Sequence, residues 1–181
     1  MRLDRFNNSQ YDRGAGRIQE AFWIVMKIIF FQSAIPWPSF WKRFVLRIFG
    51  AKVGRDVVIR PRVNITMPWR LTVGDHTWIG EGSNLLLLDK IRIGSHVCIS
   101  QECFLCTGSH DYRRESFDLV TAPIIVEDSV WLAARVFVAP GSHIHSGAVI
   151  RACSSVSGEV EGNALHGGNP CVKIKSLEKP V

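Results

Sequence analysis

From Val126 onward every sixth residue is a branched aliphatic: Val126, Leu132, Val138, Ile144, Ile150 and Val156. An α-helix turns about 100° per residue, so a step of six scatters these side chains around its circumference. On an extended strand six is an even step, and all six side chains point to the same face. A sustained six-step therefore requires short strands at identical turns, the pattern of a hexapeptide-repeat parallel β-helix.

The same step runs through the first half as Val53, Ile59, Ile65 and Leu71, then Val73, Ile79, Leu85 and Ile91, then Ile93, Ile99 and Leu105. The phase slips by two residues at 71/73 and at 91/93, which reads as wider corners. The fifth residue of many hexads is small or apolar: Val57, Val63, Ser83, Val97, Cys103, Val130, Val136, Ala148 and Ser154. One large and one small residue per side would fill a narrow triangular prism. Apolar types make up 46% of the chain, so one matching run has a chance of about one in a hundred, and the agreement of both halves decides the reading.

Of the 181 residues, 53–165 form the expected repeat domain. Three hexads make one coil, so about five to six coils are expected. Residues 1–52 form an N-terminal helical extension and residues 166–181 a C-terminal tail. Residues 106–124 carry no hexad phase and read as an inserted loop, and a structureless stretch of that length in a compact domain is usually functional.

The net charge is +6, with basic residues gathered in the N-terminal block and at Lys173, Lys175 and Lys179. No nucleic-acid recognition motif accompanies the charge, so anionic small molecules or membrane surfaces are the better-matched partners. The five cysteines are Cys98, Cys103, Cys106, Cys153 and Cys171. The number is odd, no signal peptide precedes them, and the lone Cys-x-x-Cys has no second pair, so they read as small thiols of a reducing, cytoplasmic compartment. Cys98, Cys103 and Cys153 are placed where small interior residues belong.

In the N-terminal block, the uninterrupted apolar run Ala21–Met26, and even Ala21–Phe31 with Lys27 ignored, is too short to span a bilayer. After Pro36 and Pro38, Ser39 can cap a second helix ending at Gly50. Its apolar face would be Phe40, Trp41, Phe44, Val45 and Ile48, its polar face Lys42, Arg43 and Arg47. Two roles remain open for residues 20–48. The helices can cover an open end of the β-helix, favoured because solenoids need end caps, or they can lie on a membrane interface.

The inserted loop begins Cys-Thr-Gly-Ser-His-Asp-Tyr, placing His110 where the regular coil breaks, beside the small residues Thr107, Gly108 and Ser109. Histidine is the side chain suited to accept a proton near neutral pH. Asp111 follows directly and Asp89 lies about one coil earlier; either would serve to orient the imidazole. Trp131 opens the first regular coil after the loop and is expected to face His110 on the return. His76 and His96 occupy equivalent corners and read as turn residues. His143 and His145 share a corner with Ser142 and Ser146, and His166 falls in the tail. A zinc site needs imidazoles converging on one ion, and no close pair accompanies His76 and His96, so no metal is expected.

Together, the hexads, the Thr-Gly-Ser-His-Asp-Tyr string, the return through Ala-Pro-Ile-Ile-Val, Ser-Val-Trp-Leu-Ala-Ala and the closing Gly-Asn-Pro resemble the left-handed β-helix acyltransferases, which include galactoside, maltose and nodulation-factor O-acetyltransferases. The resemblance is closer to the colanic-acid biosynthesis acetyltransferases. It runs from Asn-Asn-Ser-Gln-Tyr-Asp-Arg-Gly near the start through residues 49–54, 68–80 and 99–112. It implies a mainly β, left-handed β-helix fold and a homotrimer with sites between subunits. It further implies acetyl-CoA as donor and a sugar or lipid-linked oligosaccharide hydroxyl as acceptor. His110 would be the general base of a direct transfer, and a backbone N–H near Ala133–Ala134 would stabilise the oxyanion. Asp89, Asp111 and Trp131 would contact the acceptor. Trp131, Ala133, Ala134, Ala152, Gly168, Asn169, Pro170 and Lys173 would line the CoA path. Arg151, Cys153 and Ser157-Gly158-Glu159 depart from the family pattern on the CoA side. That departure motivates the alternative of a non-catalytic β-helix scaffold; a β-helix metalloenzyme is a third reading.

Overall fold

Each hexad folds into one short strand and one corner, and three hexads close a triangular coil. The computed structural model describes residues 2–9 and 11–178, so Gln10 of the N-terminal motif and Lys179 of the basic tail lie outside the described residues. The first face stacks Lys52–Val53, Leu71–Val73, Ile91–Ile93, Ile124–Val126, His143–Ile144 and Glu159–Val160, all parallel. The second stacks Val58–Ile59, Trp78–Ile79, Cys98–Ile99, Trp131–Leu132, Val149–Ile150 and Ala164–Gly167. The third stacks Asn64–Ile65, Asn84–Leu86, Phe104–Cys106, Phe137–Val138 and Ser155–Val156.

The register explains the six-step. Val53, Val73, Ile93, Val126, Ile144 and Val160 form one inward column of the first face. Every aliphatic of the hexad series is at most 9% exposed, and every one of the small fifth residues at most 2%. Burying one such aliphatic contributes about 1.5–3 kcal/mol. The coils stack so closely that a Cβ at Gly74 would stand 2.5 Å from the Gly94 carbonyl carbon, and only glycine fits there. The two phase slips are wide corners between the third and first faces. At each, both aliphatics are buried, Leu71 with Val73 and Ile91 with Ile93. The first of these corners contains the 3-10 turn Pro68–Arg70.

The insertion leaves the same corner one coil later. It is shorter and more ordered than a structureless loop over 106–124. Cys106 ends the strand Phe104–Cys106 and Ile124 begins Ile124–Val126. Between them, Gly108–His110 and Leu119–Thr121 pair as an antiparallel hairpin. The hairpin satisfies backbone groups that an unpaired excursion would leave to water.

The N-terminal block contains α1 (Arg17–Lys27), continued by a π-helical turn Ile28–Gln32, and α2 (Ser39–Ile48). Gly50, at φ 90°, follows α2 as its expected stop. Ser39 does not cap α2; it is the first helical residue, and its Oγ accepts from the Ile59 N–H at 3.1 Å. The two faces of α2 divide differently from the expected apolar and polar sets. Phe40, Trp41, Phe44 and Ile48 are exposed, whereas Lys42 is fully buried beside Val45 and Leu46. The cause is the solenoid's open end, where the carbonyls of the first coil have no preceding coil to donate to them. Arg47 donates to the Val53 and Gly54 carbonyls, Arg43 to Val57, Lys42 to Ile59 and Arg60, and Trp23 Nε1 to Ile65, all at 2.7–3.0 Å. An unsatisfied buried carbonyl costs about 1–3 kcal/mol, so the donors of α2 turn inward and its aromatics outward.

The far end closes differently. Val172–Ser176 turns back and pairs antiparallel with Ala164–Gly167. The boundary expected at residue 165 thus crosses a strand, and His166 is a buried member of that strand, bonded to the Glu161 carbonyl. Of the cysteines, Cys103 is interior as expected, Cys98 points outward beside inward Ile99, and Cys153 is an exposed corner residue at φ 59°. His76 and His96 are corner residues at φ 55° and 57°, with rings stacked at 5.1 Å.

Candidate active site

Two edges of the prism carry the candidate residues. The first is the edge between the third and first faces, where the wide corners and the hairpin lie one above another. His110 ends the strand Gly108–His110, and its Nδ1 lies 2.9 Å from the Phe117 carbonyl oxygen. A carbonyl can only accept, so Nδ1 carries the proton and, in the neutral ring, Nε2 presents a lone pair. The imidazole stacks on the Phe117 ring at 4.3 Å with an interplanar angle of 1°. Phe6 meets it edge-on at 5.5 Å. Phe117 holds both contacts from a backbone φ of 50°, a left-handed conformation rare for a bulky residue.

Neither carboxylate orients the imidazole. Asp111 is occupied by Arg113, whose side chain and backbone N–H both donate to it at 3.0 Å; these bonds hold its carboxyl below the usual range. Asp89 accepts from the Lys90 backbone N–H at 2.6 Å and lines a separate cleft of about 500 Å³ with Tyr11, Trp69, Arg70 and Lys90. His110 lines a cleft of about 320 Å³ with Ser109, Asp111, Tyr112, Arg113 and Val120. A third cleft, of about 460 Å³, lies between the N-terminal residues Asn7–Ser9 and Asp118–Leu119.

The N-terminal segment is the part of this site that the sequence did not suggest. It lies along the irregular edge: Tyr11 donates to the Leu88 carbonyl at 2.6 Å, the Arg2 N–H to the Glu115 carbonyl at 2.7 Å, and Arg5 pairs with Glu115 at 2.6 Å. Arg70 donates to the Tyr11 hydroxyl at 3.0 Å and to the carbonyls of Leu88 and Asp12. Burial pushes the Tyr11 phenol above its ordinary pKa. The signal available was the Asn-Asn-Ser-Gln-Tyr-Asp-Arg-Gly string, which names residues but no location.

The second edge lies between the second and third faces and is regular. Its corners place Arg62, Gly82, Glu102, Arg135 and Cys153 at φ 56–71° in five successive coils. Ala133, Ala134 and Ala152 sit at or beside these corners, and the turn Gly168-Asn169-Pro170 continues the column. The Ala133 N–H is committed to the Ile150 carbonyl at 2.9 Å, whereas the N–H groups of Ala134 and Ala152 make no hydrogen bond among the described residues. Lys173 is paired with Glu161 at 2.7 Å.

Trp131 belongs with this second set. It is half-exposed on the second face, in register with Trp78 and Cys98, and its Nε1 donates to Ser100 Oγ at 3.0 Å. Because the hairpin leaves the corner between the third and first faces, the second face is the side of the prism opposite to it. Trp131 therefore does not face His110 within one chain, contrary to the sequence expectation.

No family model matches the chain. Among curated proteins, it is 44% identical to WcaF of Escherichia coli (strain K12), named as a colanic acid biosynthesis acetyltransferase, over 96% of this chain and 95% of the relative. It is 28% identical to a galactoside O-acetyltransferase of Lactococcus lactis, over 88% of this chain and 77% of the relative. Among solved structures, a hexapeptide-repeat-containing acetyltransferase of Vibrio cholerae superposes with a TM-score of 0.81 at 27% identity, covering 90% of this chain and 92% of that one. The same protein complexed with acetyl coenzyme A superposes with a TM-score of 0.78. A relative 44% identical over nearly both full lengths, and a shared three-faced solenoid, establish that this chain is a left-handed β-helix protein of the hexapeptide-repeat acetyltransferase family.

Proposed function

We propose that this protein transfers an acetyl group from acetyl-CoA to a sugar hydroxyl in the biosynthesis of a colanic-acid-like exopolysaccharide. The observation that carries the reading is the bond from His110 Nδ1–H to the Phe117 carbonyl, which leaves Nε2 as the proton acceptor. The relatives supply the chemistry around it: a colanic acid acetyltransferase, a galactoside O-acetyltransferase and an acetyl-CoA complex.

In the proposed reaction, the acceptor hydroxyl proton passes to His110 Nε2 as its oxygen attacks the thioester carbonyl carbon. The Ala134 N–H donates to the resulting oxyanion. Collapse breaks the carbon–sulfur bond, and the thiolate takes the proton back from Nε2, leaving a sugar ester and free CoA. Both substrates are bound together, and no covalent enzyme intermediate forms. Trp131, Ala152 and Gly168-Asn169-Pro170 line the CoA arm, Lys173 meets its phosphates, and Asp89 and Asp111 contact the acceptor, which is a sugar or a lipid-linked oligosaccharide.

The reading requires two chains per site. With His110 on one edge of the prism and Trp131 on the opposite face, a cyclic homotrimer brings the irregular edge of one protomer against the regular edge of the next. The protein works in the cytoplasm, peripherally bound at the inner face of the membrane through residues 20–48. What supports this is the outward set Phe22, Val25, Ile28 and Ile29, with Ile18 just before them, joined by Phe40, Trp41, Phe44 and Ile48, each more than 40% exposed. No helix of the described residues is long and apolar enough to cross a membrane. Failure to co-float with anionic liposomes at low salt would count against membrane attachment.

The test of function is product-detected. Acetyl-CoA is offered with nucleotide sugars and lipid-linked oligosaccharides, and acetylated products are sought by mass spectrometry. Absence of acetyl-CoA binding by calorimetry would replace the enzyme with the scaffold reading.

A further inference from the structure

On the outward side of the first face, across the last three coils, two imidazoles lie between two carboxylates. Glu127 follows the strand Ile124–Val126, His143 and His145 belong to the next coil, and Glu159 opens the strand of the coil after that. The parallel register sets Ile125 beside His143 and His143 beside Glu159, so the backbone places all four groups together. These histidines are not corner residues as the sequence suggested: His143 opens the strand and His145 follows it. The proposed acetyl transfer uses none of the four.

We propose that Glu127, His143 and His145 bind one divalent transition-metal ion of the zinc class. Glu127 Oε1 lies 2.7 Å from His143 Nε2 and 3.2 Å from His145 Nδ1. Around a tetrahedral zinc ion with bonds of about 2.0–2.1 Å, ligand atoms stand about 3.3 Å apart. One donor atom from each residue lies within 4.8 Å of the others, so movements of up to about 1.5 Å convert the observed contacts into a ligand set. The partially exposed position leaves a coordination place for water.

The outer contacts match the requirements of such a site. Glu159 Oε2 lies behind both rings, 2.8 Å from His145 Nε2 and 3.5 Å from His143 Nδ1. A carboxylate accepting from the far N–H of a ligating imidazole fixes its tautomer and raises its basicity. Here Glu159 does so for His145 and stands close to His143 Nδ1, while His143 Nε2 and His145 Nδ1 are both turned toward Glu127 Oε1. Glu127 is itself anchored through its other oxygen, which accepts from the Ser146 N–H at 3.0 Å and the Ser146 hydroxyl at 2.8 Å. The rings are already packed, with centroids 4.1 Å apart. By contrast, among the described residues the stacked pair His76 and His96 has one carboxylate contact, Asp56 at 3.8 Å from His76, and serves as an internal control. An ion held at the first site ties coils four, five and six together, independently of the chemistry at His110.

The experiment uses the full-length protein stripped with a chelator. Zinc chloride is titrated by calorimetry, and cobalt(II) is followed by its visible absorption. The proposal expects one ion per chain, bound at micromolar or lower concentration, with the intense cobalt bands of a tetrahedral site. His143→Ala and His145→Ala abolish the bands, Glu127→Gln does the same while preserving side-chain shape, and Glu159→Gln weakens binding about 10- to 100-fold. The paired His76→Ala, His96→Ala variant binds as the parent does. No stoichiometric binding, or binding unaffected by Glu127→Gln and His145→Ala, overturns the proposal and leaves the cluster as ion pairs only. Loss in the His76/His96 variant overturns it equally. Circular dichroism of each apo variant separates lost ligands from lost fold.

Discussion

Along the edge between the second and third faces, every turn repeats its predecessor, with a left-handed residue at the same corner position in five coils. Along the edge between the third and first faces, the first corners widen and the third opens into a hairpin. The regular edge offers a column of backbone, including N–H groups at Ala134 and Ala152 that no described residue engages. The irregular edge offers one oriented imidazole, held by a phenylalanine in a left-handed conformation and covered by an N-terminal segment. A repeated edge suits an extended ligand, because its geometry is copied coil after coil. A reactive side chain needs a place where the repeat stops, and in the proposed reaction neither edge is complete without the other.

The largest expected effect isolates the irregular edge. His110→Ala lowers acetyl transfer by about 10²-fold or more in steady-state assays, while the melting temperature and oligomeric state stay as in the parent. Near-normal turnover in that variant would remove the general base from the mechanism. The next effect tests whether the two edges meet across chains. His110→Ala and Trp131→Ala are each impaired, yet co-expressed mixed trimers regain about a quarter of parental sites, the random share that pairs an intact histidine with an intact neighbouring tryptophan. Mixtures no more active than their homotrimers would place both residues' work within one chain.

A variant that weakens the prism without favouring either edge sharpens the contrast. Lys42→Met leaves the Ile59 and Arg60 carbonyls without donors and costs about 1–3 kcal/mol in denaturant unfolding, with kcat of the folded protein unchanged. Burial pushes the Lys42 ammonium down to about 8 from an ordinary 10.5. Below about pH 8 the amine is charged in both states, and the fold carries the full desolvation penalty. Between about pH 8 and 10.5 the folded state has released a proton that the unfolded chain still holds, so stability rises with pH. The difference between parent and Lys42→Met should therefore widen from pH 8 towards pH 10, and a constant difference would refute the assignment. The smallest effect belongs to the end of the regular edge. Lys173 is exposed and already paired with Glu161, so Lys173→Ala should raise KM for acetyl-CoA by no more than a few-fold.

Much of the fold was legible because the period-six rule is local and repeated, and each hexad reports the same inward column. Even the phase slips at Leu71/Val73 and Ile91/Ile93 marked real corners. The arrangement of α2 was not legible. Amphipathicity separates Phe40, Trp41 and Phe44 from Lys42, Arg43 and Arg47 without saying which set meets the prism; the end of a solenoid is lined with carbonyls, and donors satisfy it better than aromatics do. At the site, His110 stood out because it breaks the repeat. Its partner did not, since the Phe117 carbonyl is a group every residue possesses. Counting hexads in threes from Val126 would have put Trp131 on the second face, opposite the loop; proximity in sequence obscured this.

The sequence by itself determined the strands, the inward column, the place of the insertion and the membership of the family, because hexad periodicity and distinctive strings survive without coordinates. Only the tertiary structure decided which face of α2 meets the prism, what orients His110, that His110 and Trp131 lie on opposite sides, and that Glu127, His143, His145 and Glu159 converge. The physical reason is common to all four: each depends on groups from different coils or segments, brought together by stacking and by the demand that backbone carbonyls find donors.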